Sequence, residues 1–230
     1  MKIKIIACET VADELRSLIP EGVPYKFLEF GLHCTPELLH ATLQEEIDST
    51  PQDVDTILLG YGMCSKGTLG LEARRFRLVI PKLDDCIGLY LGSRAEYNRQ
   101  HMLAPGTFYL TKGWIECGDD PYSEYLKMVD KYGHEKAYRA EKRFIVNYSR
   151  LLLISTGNHS MEKYRDYAKR VADFFDLAFE EIPGSDRLIK MLMEGDWNNE
   201  FVIVEPGGRV EYSMFALDKP ATAPGKVEAE

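Results

Sequence analysis

The sequence lacks the features that mark several broad classes of protein. Its 230 residues carry a formal net charge of -9, and no cluster of lysines and arginines suggests a nucleic-acid surface. No apolar run approaches the roughly 20 residues that a membrane-spanning helix needs, and no secretory peptide precedes the first strand. We therefore expect a cytoplasmic protein that binds neither nucleic acid nor membrane.

Cysteine is also scarce, and its placement is not that of a secreted disulfide scaffold. There are five cysteines, an odd number, and no CxxC pair occurs among them. In a reducing compartment we expect free thiols, which either pack in the core or bind a metal.

What the chain does have is an alternation of apolar strands and amphipathic helices. With 45% hydrophobic and 28% charged residues, the composition is that of an ordinary globular protein. The alternation predicts an α/β fold, Rossmann-like and doubly wound, with a mostly parallel sheet. A chain of this length forms either one domain or two closely packed βαβ lobes.

The predicted elements fall into two series along the chain. An N-terminal α/β half over residues 1–118 is followed by a C-terminal α/β half over 119–218 and a flexible tail over 219–230. Strands are predicted at 2–7, 25–30, 56–59, 78–80, 107–110, 151–154, 178–182 and 201–204. Helices are predicted at 11–19, with Thr10 as N-cap, and at 36–48, 93–102, 122–132, 135–148, 161–175 and 186–193, whereas 112–117 is predicted to be a loop.

Four consecutive predicted strands end in a thiol or an imidazole. Cys8 follows the first strand, His33 and Cys34 the second, Cys64 the third and Cys86 the fourth. Because the carboxyl ends of parallel neighbours lie at one edge of a sheet, these side chains can converge there. A site of three thiolates and the imidazole of His33, the weaker candidate, or of three thiolates with an open position, suits zinc, an iron–sulfur cluster or a thiophilic metal delivered by a cofactor. The sequence does not distinguish among these.

The alternative is that each cysteine packs as a small apolar side chain behind its strand, as free cysteine commonly does. We assign Cys34 and Cys117 to that structural role, or to the surroundings of the site. For Cys8, Cys64 and Cys86 together we favour a shared metal site.

Further candidate residues surround these cysteines. The turn over residues 60–67 contains glycines that allow the backbone to approach a ligand, although the order of residues is not that of a P-loop. Asp84 and Asp85 occupy the predicted start of a helix that carries Cys86, and a helix N-terminus would lower the pKa of that thiol. The candidate pocket or anion-binding residues are Gly60, Tyr61, Gly62, Ser65, Lys66, Asp85, Trp114 and Glu116.

Several longer motifs are distributed along the chain: ACETVADEL, GLHCTPELL, LLGYGMCSKGTLGL, IPKLDDCIGLYLGS, PGTFYLTKGWIE and GDWNNEFVIVEPGG. They resemble a family known only as domain of unknown function 1638, whose most specific motif corresponds to residues 60–65. That family is common in anaerobic archaea and bacteria and is often encoded near corrinoid-dependent methyltransferases. It usually has His-Asp-Cys where this chain has Asp84-Asp85-Cys86, which argues against position 84 as a ligand.

The resemblance implies an accessory or catalytic role in anaerobic methyl-group or corrinoid metabolism. It implies as partner a small-molecule substrate or a corrinoid methyltransferase, with a corrinoid as a further cofactor. Two other functions use the same residues. One is a metal-free enzyme in which Cys64 or Cys86 is a nucleophile assisted by His33 or a carboxylate. The other is a non-catalytic protein that binds a corrinoid or a partner. The sequence leaves open whether the protein is an enzyme.

Overall fold

Two β-sheets form the framework of the protein in a computed structural model, which describes residues 2–157 and 160–216. The strands are β1 (Ile3–Cys8), β2 (Tyr25–Leu28), β3 (Thr56–Gly60), β4 (Arg77–Pro81), β5 (Thr107–Leu110), β6 (Arg150–Ser155), β7 (Ala178–Pro183) and β8 (Phe201–Val204). The larger sheet has the order β2-β1-β3-β4-β8, and the smaller has the order β5-β6-β7. All neighbours are parallel except β8, which runs antiparallel to β4. The predicted Rossmann-like, mostly parallel α/β fold is confirmed.

Helices connect most of these strands. They are α1 (Ala12–Arg16), α2 (Pro36–Asp48), α3 (Ile87–Leu91), α4 (Arg94–Leu103), α5 (Lys112–Cys117), α6 (Pro121–Tyr132), α7 (His134–Phe144), α8 (Glu162–Phe175) and α9 (Arg187–Glu194). In α2, proline stands at the first position, and the buried residues Leu39, Leu43 and Ile47 recur at the four-residue spacing of one helix face. No helix in the described ranges is long and apolar enough to cross a membrane.

The sheets do not follow the predicted division of the chain at residue 118. Strand β5 precedes that point, yet it pairs with β6 in the smaller sheet. Strand β8 comes late in the chain, yet it pairs with β4 in the larger one. The prediction of β8 as the end of a second βαβ series was therefore wrong. The sequence of a four-residue strand indicates that the strand is buried but not which strand it pairs with. The predicted tail at 219–230 lies outside the described residues.

Two local predictions also need correction. Residues 112–117, predicted as a loop, form α5, because the Thr111 side chain accepts a hydrogen bond from the Trp114 backbone N–H at 3.2 Å. Gly118 then ends this helix in a left-handed conformation. Thr10 is not an N-cap, since it lies inside a 3₁₀ turn, Glu9–Val11, that precedes the short helix α1.

The two sheets meet at this 3₁₀ turn. A Cβ atom added at Gly113 would lie 2.0 Å from the Thr10 carbonyl oxygen, so only glycine allows α5 to approach the turn so closely. The Tyr90 hydroxyl, on α3, donates to the same carbonyl oxygen. The Tyr90 carbonyl in turn accepts a hydrogen bond from the Ser185 N–H, just before α9, at 2.8 Å. The close approach of α5 to the 3₁₀ turn places Trp114 at the carboxyl edge of the larger sheet.

Candidate functional site

A cavity of about 210 Å³ lies at the carboxyl edge of the five-stranded sheet, and we call it the thiol cavity. Cys8, Cys64 and Cys86 all line it, at the end of β1 and in the turns after β3 and β4. The other lining residues are Phe30, His33, Tyr61, Ser65, Asp85, Ile87 and Trp114. The structure thus brings together at one cavity three thiols that are 22 or more positions apart in the sequence.

Cys64 lies in an unusual backbone conformation. Cys64, Ser65 and Lys66 have φ angles of 45°, 53° and 74°, so three consecutive non-glycine residues are left-handed. Each such residue costs about 1–2 kcal/mol. Backbone hydrogen bonds hold the turn in place: the Cys64 N–H donates to the Asp84 carbonyl and the Gly67 N–H to the Cys64 carbonyl, both at 2.9 Å. Strain of this kind is concentrated at functional sites.

Gly62 allows the turns after β3 and β4 to touch. A Cβ atom at this position would lie 2.8 Å from the Leu83 carbonyl oxygen and 3.0 Å from that of Asp85. The neighbouring Met63 N–H donates to the Leu83 carbonyl at 2.8 Å. The approach of the two backbones fixes the position of Cys64 relative to Cys86.

Cys86 immediately precedes α3, and the two aspartates before it have different partners. Asp85 Oδ1 accepts from the Ile87 N–H at 2.9 Å and Oδ2 from the Tyr97 hydroxyl at 3.2 Å, whereas Asp84 pairs with Arg94. The predicted lowering of the Cys86 pKa was wrong. Burial, first, and then repulsion from Cys64 raise the pKa of this thiol well above its usual range. A helix of five residues does not offset the loss of water around the thiolate.

The other two thiols are also disfavoured as free thiolates. Burial raises the pKa of Cys64 to about 12, with Asp85 and Cys8 adding negative charge. Burial likewise raises the pKa of Cys8, although the nearby polar groups of Thr10 oppose the rise. No lysine or arginine is among the residues that line the cavity. Without a metal these three thiols are therefore neutral at pH 7. A bound cation would offset the repulsion between their thiolates, and the thiols would release their protons on binding it.

Two polar groups of the cavity residues are buried without a hydrogen-bond partner in the described part of the chain. They are the Tyr61 hydroxyl and the Trp114 indole N–H. The indole lies close enough to the Cys86 sulfur to favour its thiolate, but outside hydrogen-bond geometry. Buried donors without partners are rare in native proteins. These two fit a bound group that presents acceptor atoms.

The three cysteines are not as close together as the ligands of a single zinc ion. Zn–S bonds of about 2.3 Å at tetrahedral angles place ligand sulfurs about 3.8 Å apart. Among the described residues, the His, Cys, Asp and Glu side chains that form a group of three with ligand atoms all within 4.8 Å of one another are His33, Cys34 and Asp119. The expected zinc spacing of about 4 Å among all three cavity thiols is therefore not observed.

The structure also locates the remaining predicted site residues. Gly60 and Gly62 do not line the cavity and act through close backbone packing instead. The Lys66 side chain is exposed. Glu116 points to α8, where it accepts a hydrogen bond from the Tyr164 hydroxyl, and it also pairs with Lys112. Glu116 therefore joins α5 to α8.

Sequence reasoning missed three residues of this region. Phe30 and Ile87 line the cavity, and Asp119 lies next to Cys34. Phe30 directly precedes the motif with His33, and Ile87 directly follows Cys86 within its motif, so including the apolar neighbours of the predicted site residues would have found both. Nothing near Asp119 in the sequence indicates its position, because Cys34 is 85 residues away.

Comparison with known proteins now supplies the family. A model of the family described as Protein of unknown function (DUF1638) matches residues 27–193. The chain belongs to this family. The part that matches DUF1638 includes Cys64, Cys86 and Trp114, whereas Cys8 precedes it. The comparisons with curated proteins and with solved structures gave no match.

Proposed function

We propose that Cys8, Cys64 and Cys86 hold an iron–sulfur cluster in the thiol cavity. The observation that carries this proposal is the convergence of three thiols, from three adjacent parallel strands, on a single cavity. The left-handed turn at Cys64 adds support, because backbone strain of this kind is concentrated at functional sites.

The spacing of the thiols favours a cluster over a single zinc ion. Several iron and sulfide atoms separate the ligand sulfurs of a cluster, so these sulfurs lie further apart than around one ion. A cavity of about 210 Å³ also exceeds the volume of one ion several times. The unpartnered donors of Tyr61 and Trp114 suit cluster sulfides, and hydrogen bonds to the sulfurs tune the reduction potential of such centres.

Three thiolates are one short of the four that usually hold a cluster, which leaves one position for another ligand. A small-molecule substrate can take that position. Ser65 and Asp85 line the same cavity and provide polar groups that would orient it.

The family likeness supports a role in anaerobic methyl-group or corrinoid metabolism, either accessory or catalytic. The cavity is smaller than the roughly 300–1,000 Å³ of pockets that enclose drug-sized ligands, so a whole corrinoid does not fit inside it. We therefore propose that this protein meets a corrinoid only as part of a partner methyltransferase. The described thiols are all free, which fits a reducing, cytoplasmic location.

The direct test is metal and sulfide analysis of protein purified without oxygen. We expect iron and acid-labile sulfide in stoichiometric amounts, with the visible absorption of a cluster. Each of the variants Cys8→Ser, Cys64→Ser and Cys86→Ser should lose at least half of the iron. Cys117→Ser is the matched control, because this half-buried thiol does not line the cavity and should leave the iron content unchanged.

Circular dichroism checks that each variant is folded. Wild-type protein without iron, even after reconstitution with ferrous iron and sulfide, would overturn the proposal. If the wild type instead contains one equivalent of zinc, and the same three variants lose it, the bound group is a single zinc ion and not a cluster.

The metal-free enzyme with a nucleophilic cysteine is less well supported. A cysteine nucleophile reacts as the thiolate, and the burial that raises the pKa of Cys64 and Cys86 disfavours this form. Iodoacetamide distinguishes the two functions, since an activated nucleophile would be alkylated rapidly and stoichiometrically at pH 7 in metal-free protein.

A further inference from the structure

A second group of metal-ligand side chains lies beside the thiol cavity. His33 Nε2 is 3.5 Å from Cys34 Sγ, and Cys34 Sγ is 3.8 Å from Asp119 Oδ2. The three residues offer ligand atoms that all lie within 4.8 Å of one another. We propose that His33, Cys34 and Asp119 form a second transition-metal site, suited to zinc and separate from the centre of Cys8, Cys64 and Cys86.

The distances between the ligand atoms match those around a tetrahedral zinc ion. Zn–N of about 2.0 Å and Zn–S of about 2.3 Å place a histidine nitrogen and a thiolate about 3.5 Å apart. Zn–S of about 2.3 Å and Zn–O of about 2.1 Å place a thiolate and a carboxylate oxygen about 3.6 Å apart. The observed separations of 3.5 Å and 3.8 Å therefore need almost no change on binding. The ligand atoms of His33 and Asp119, which lie within 4.8 Å of each other, would need to be about 3.3 Å apart.

The hydrogen bonding of His33 prepares its other ring nitrogen for a metal. Nδ1 lies 2.5 Å from the Phe30 carbonyl oxygen. A carbonyl oxygen only accepts hydrogen bonds, so Nδ1 bears a proton, and the neutral form of the ring presents the Nε2 lone pair towards Cys34. Metal-binding histidines commonly donate their second N–H to a backbone carbonyl in this way, which fixes the ring and its tautomer. The ring of Phe30, 4.2 Å away between centroids, further restricts the imidazole.

The local structure brings the three side chains together from two parts of the chain. His33 and Cys34 end the 3₁₀ turn Phe30–Cys34 after β2, and Asp119 follows the left-handed Gly118 at the end of α5. Trp114, on α5, packs on Phe30 with 4.9 Å between ring centroids, which holds the two segments in contact. Cys34 is exposed, so an ion from solution can reach the site.

This ligand set determines which chemistry the site can support. One soft thiolate, one borderline imidazole and one carboxylate form a mixed set that suits zinc better than magnesium or calcium. Three protein ligands leave the fourth tetrahedral position for water or a substrate thiol, which is the arrangement of catalytic rather than structural zinc sites. Because His33 also lines the thiol cavity, the second site lies directly beside that cavity.

The test is an anaerobic titration of the metal-stripped, full-length protein with cobalt(II), whose absorption reports tetrahedral geometry and thiolate ligation. We expect Cys34→Ser to remove one equivalent of tightly bound cobalt and its thiolate charge-transfer band. Asp119→Asn should weaken the same binding at least tenfold. Cys117→Ser, close to Asp119 but outside the group, should bind cobalt as the wild type does.

The Cys86→Ser variant separates this proposal from the cluster, since it alters the thiol cavity and leaves all three ligands of the second site in place. We expect it to retain the equivalent of cobalt that Cys34→Ser loses. Equal cobalt stoichiometry and affinity in wild type, Cys34→Ser and Asp119→Asn would overturn the second site, whatever the iron analysis shows. Cys34 is exposed and Asp119 partly exposed, so both variants should fold, and circular dichroism verifies this.

Discussion

Tyr61 and Tyr90 are both buried near the thiol cavity, but only one of their hydroxyl groups has a hydrogen-bond partner in the described part of the chain. The Tyr90 hydroxyl donates to the Thr10 carbonyl, whereas the Tyr61 hydroxyl has no partner among the described residues. A buried polar group without a partner costs about 1–3 kcal/mol, while a satisfied hydrogen bond contributes about 0.5–1.5 kcal/mol. The same substitution should therefore have opposite effects at these two positions.

We expect Tyr61→Phe to raise the free energy of unfolding of the metal-free protein by about 0.5–1 kcal/mol, because it removes an unsatisfied hydroxyl. Tyr90→Phe, the control, should lower it by about 1 kcal/mol. Urea denaturation of metal-stripped protein measures both. Destabilisation by Tyr61→Phe would mean that its hydroxyl has a partner, and this would weaken the case for a bound group in the cavity.

At the scale of residues, part of the site follows from the sequence. Cysteines at the ends of consecutive apolar strands indicate a shared edge, and Cys8, Cys64 and Cys86 do line one cavity. The position of Asp119 could not be predicted, because it depends on how α5 packs against the turn after β1. The pKa of Cys86 was predicted in the wrong direction, since the sequence does not reveal that the thiol is buried.

Between elements, an ion pair joins α8 to β7. Arg165 donates to both carboxylate oxygens of Glu181, with one contact at 2.8 Å. These hydrogen bonds from Arg165, opposed by partial burial, hold the pKa of Glu181 below its usual value of 4.5. The unfolded chain therefore binds more protons near this pH than the folded protein does. The contribution of the pair is complete above pH 4.5 and is lost as the pH falls through the folded-state pKa.

We expect Glu181→Gln to lower the free energy of unfolding at pH 7 by about 0.2–1 kcal/mol, the range of partly exposed pairs. The difference from wild type should shrink to zero as the pH is lowered below the pKa of Glu181. Urea denaturation over a pH series measures it. Glu21→Gln, at an exposed position, is the control and should change little at any pH. A difference that grows towards acid pH would contradict a lowered pKa of Glu181 in the folded protein.

The elements themselves were largely predictable, because the central strands are short apolar runs that are buried along almost their whole length. The longer helices bury apolar residues at the helical period. α5 was missed as a helix because six residues give too short a pattern, and only the Thr111 cap and Gly118 end reveal it. The pairing of β8 with β4 was also missed. Partner choice depends on the position of the whole sheet rather than on the residues Phe201–Val204 themselves.

Considering the whole molecule, the chain passes from the larger sheet to the smaller one and back. β5 to β7 form the smaller sheet, and β8 then closes the edge of the larger one. The contact at Gly113 and Thr10 adds a tight junction between them. The two sheets should therefore unfold in one cooperative transition rather than as separate domains.

Hydrogen exchange measures this coupling. We expect the amides of Leu58 in β3 and Leu152 in β6, both fully buried, to have the same opening free energy, equal to that of global unfolding. Gly113→Ala forces a new atom against the Thr10 carbonyl and should lower both values together. Gly31→Ala, at a position with open space around it, is the control. Unequal values for the two strands in the wild type would indicate independent domains.

The position of Trp114 at the thiol cavity also bears on when during synthesis the cavity can form. The cavity needs Cys8 from the beginning of the chain and Trp114 from nearly its midpoint. Trp114 lies on α5, which directly follows β5, and β5 pairs with β6. We therefore expect a nascent chain to complete the thiol cavity only after residue 155, the end of β6, has emerged from the ribosome. The proposed cluster would therefore be inserted late in synthesis or after it, once both sheets have begun to form.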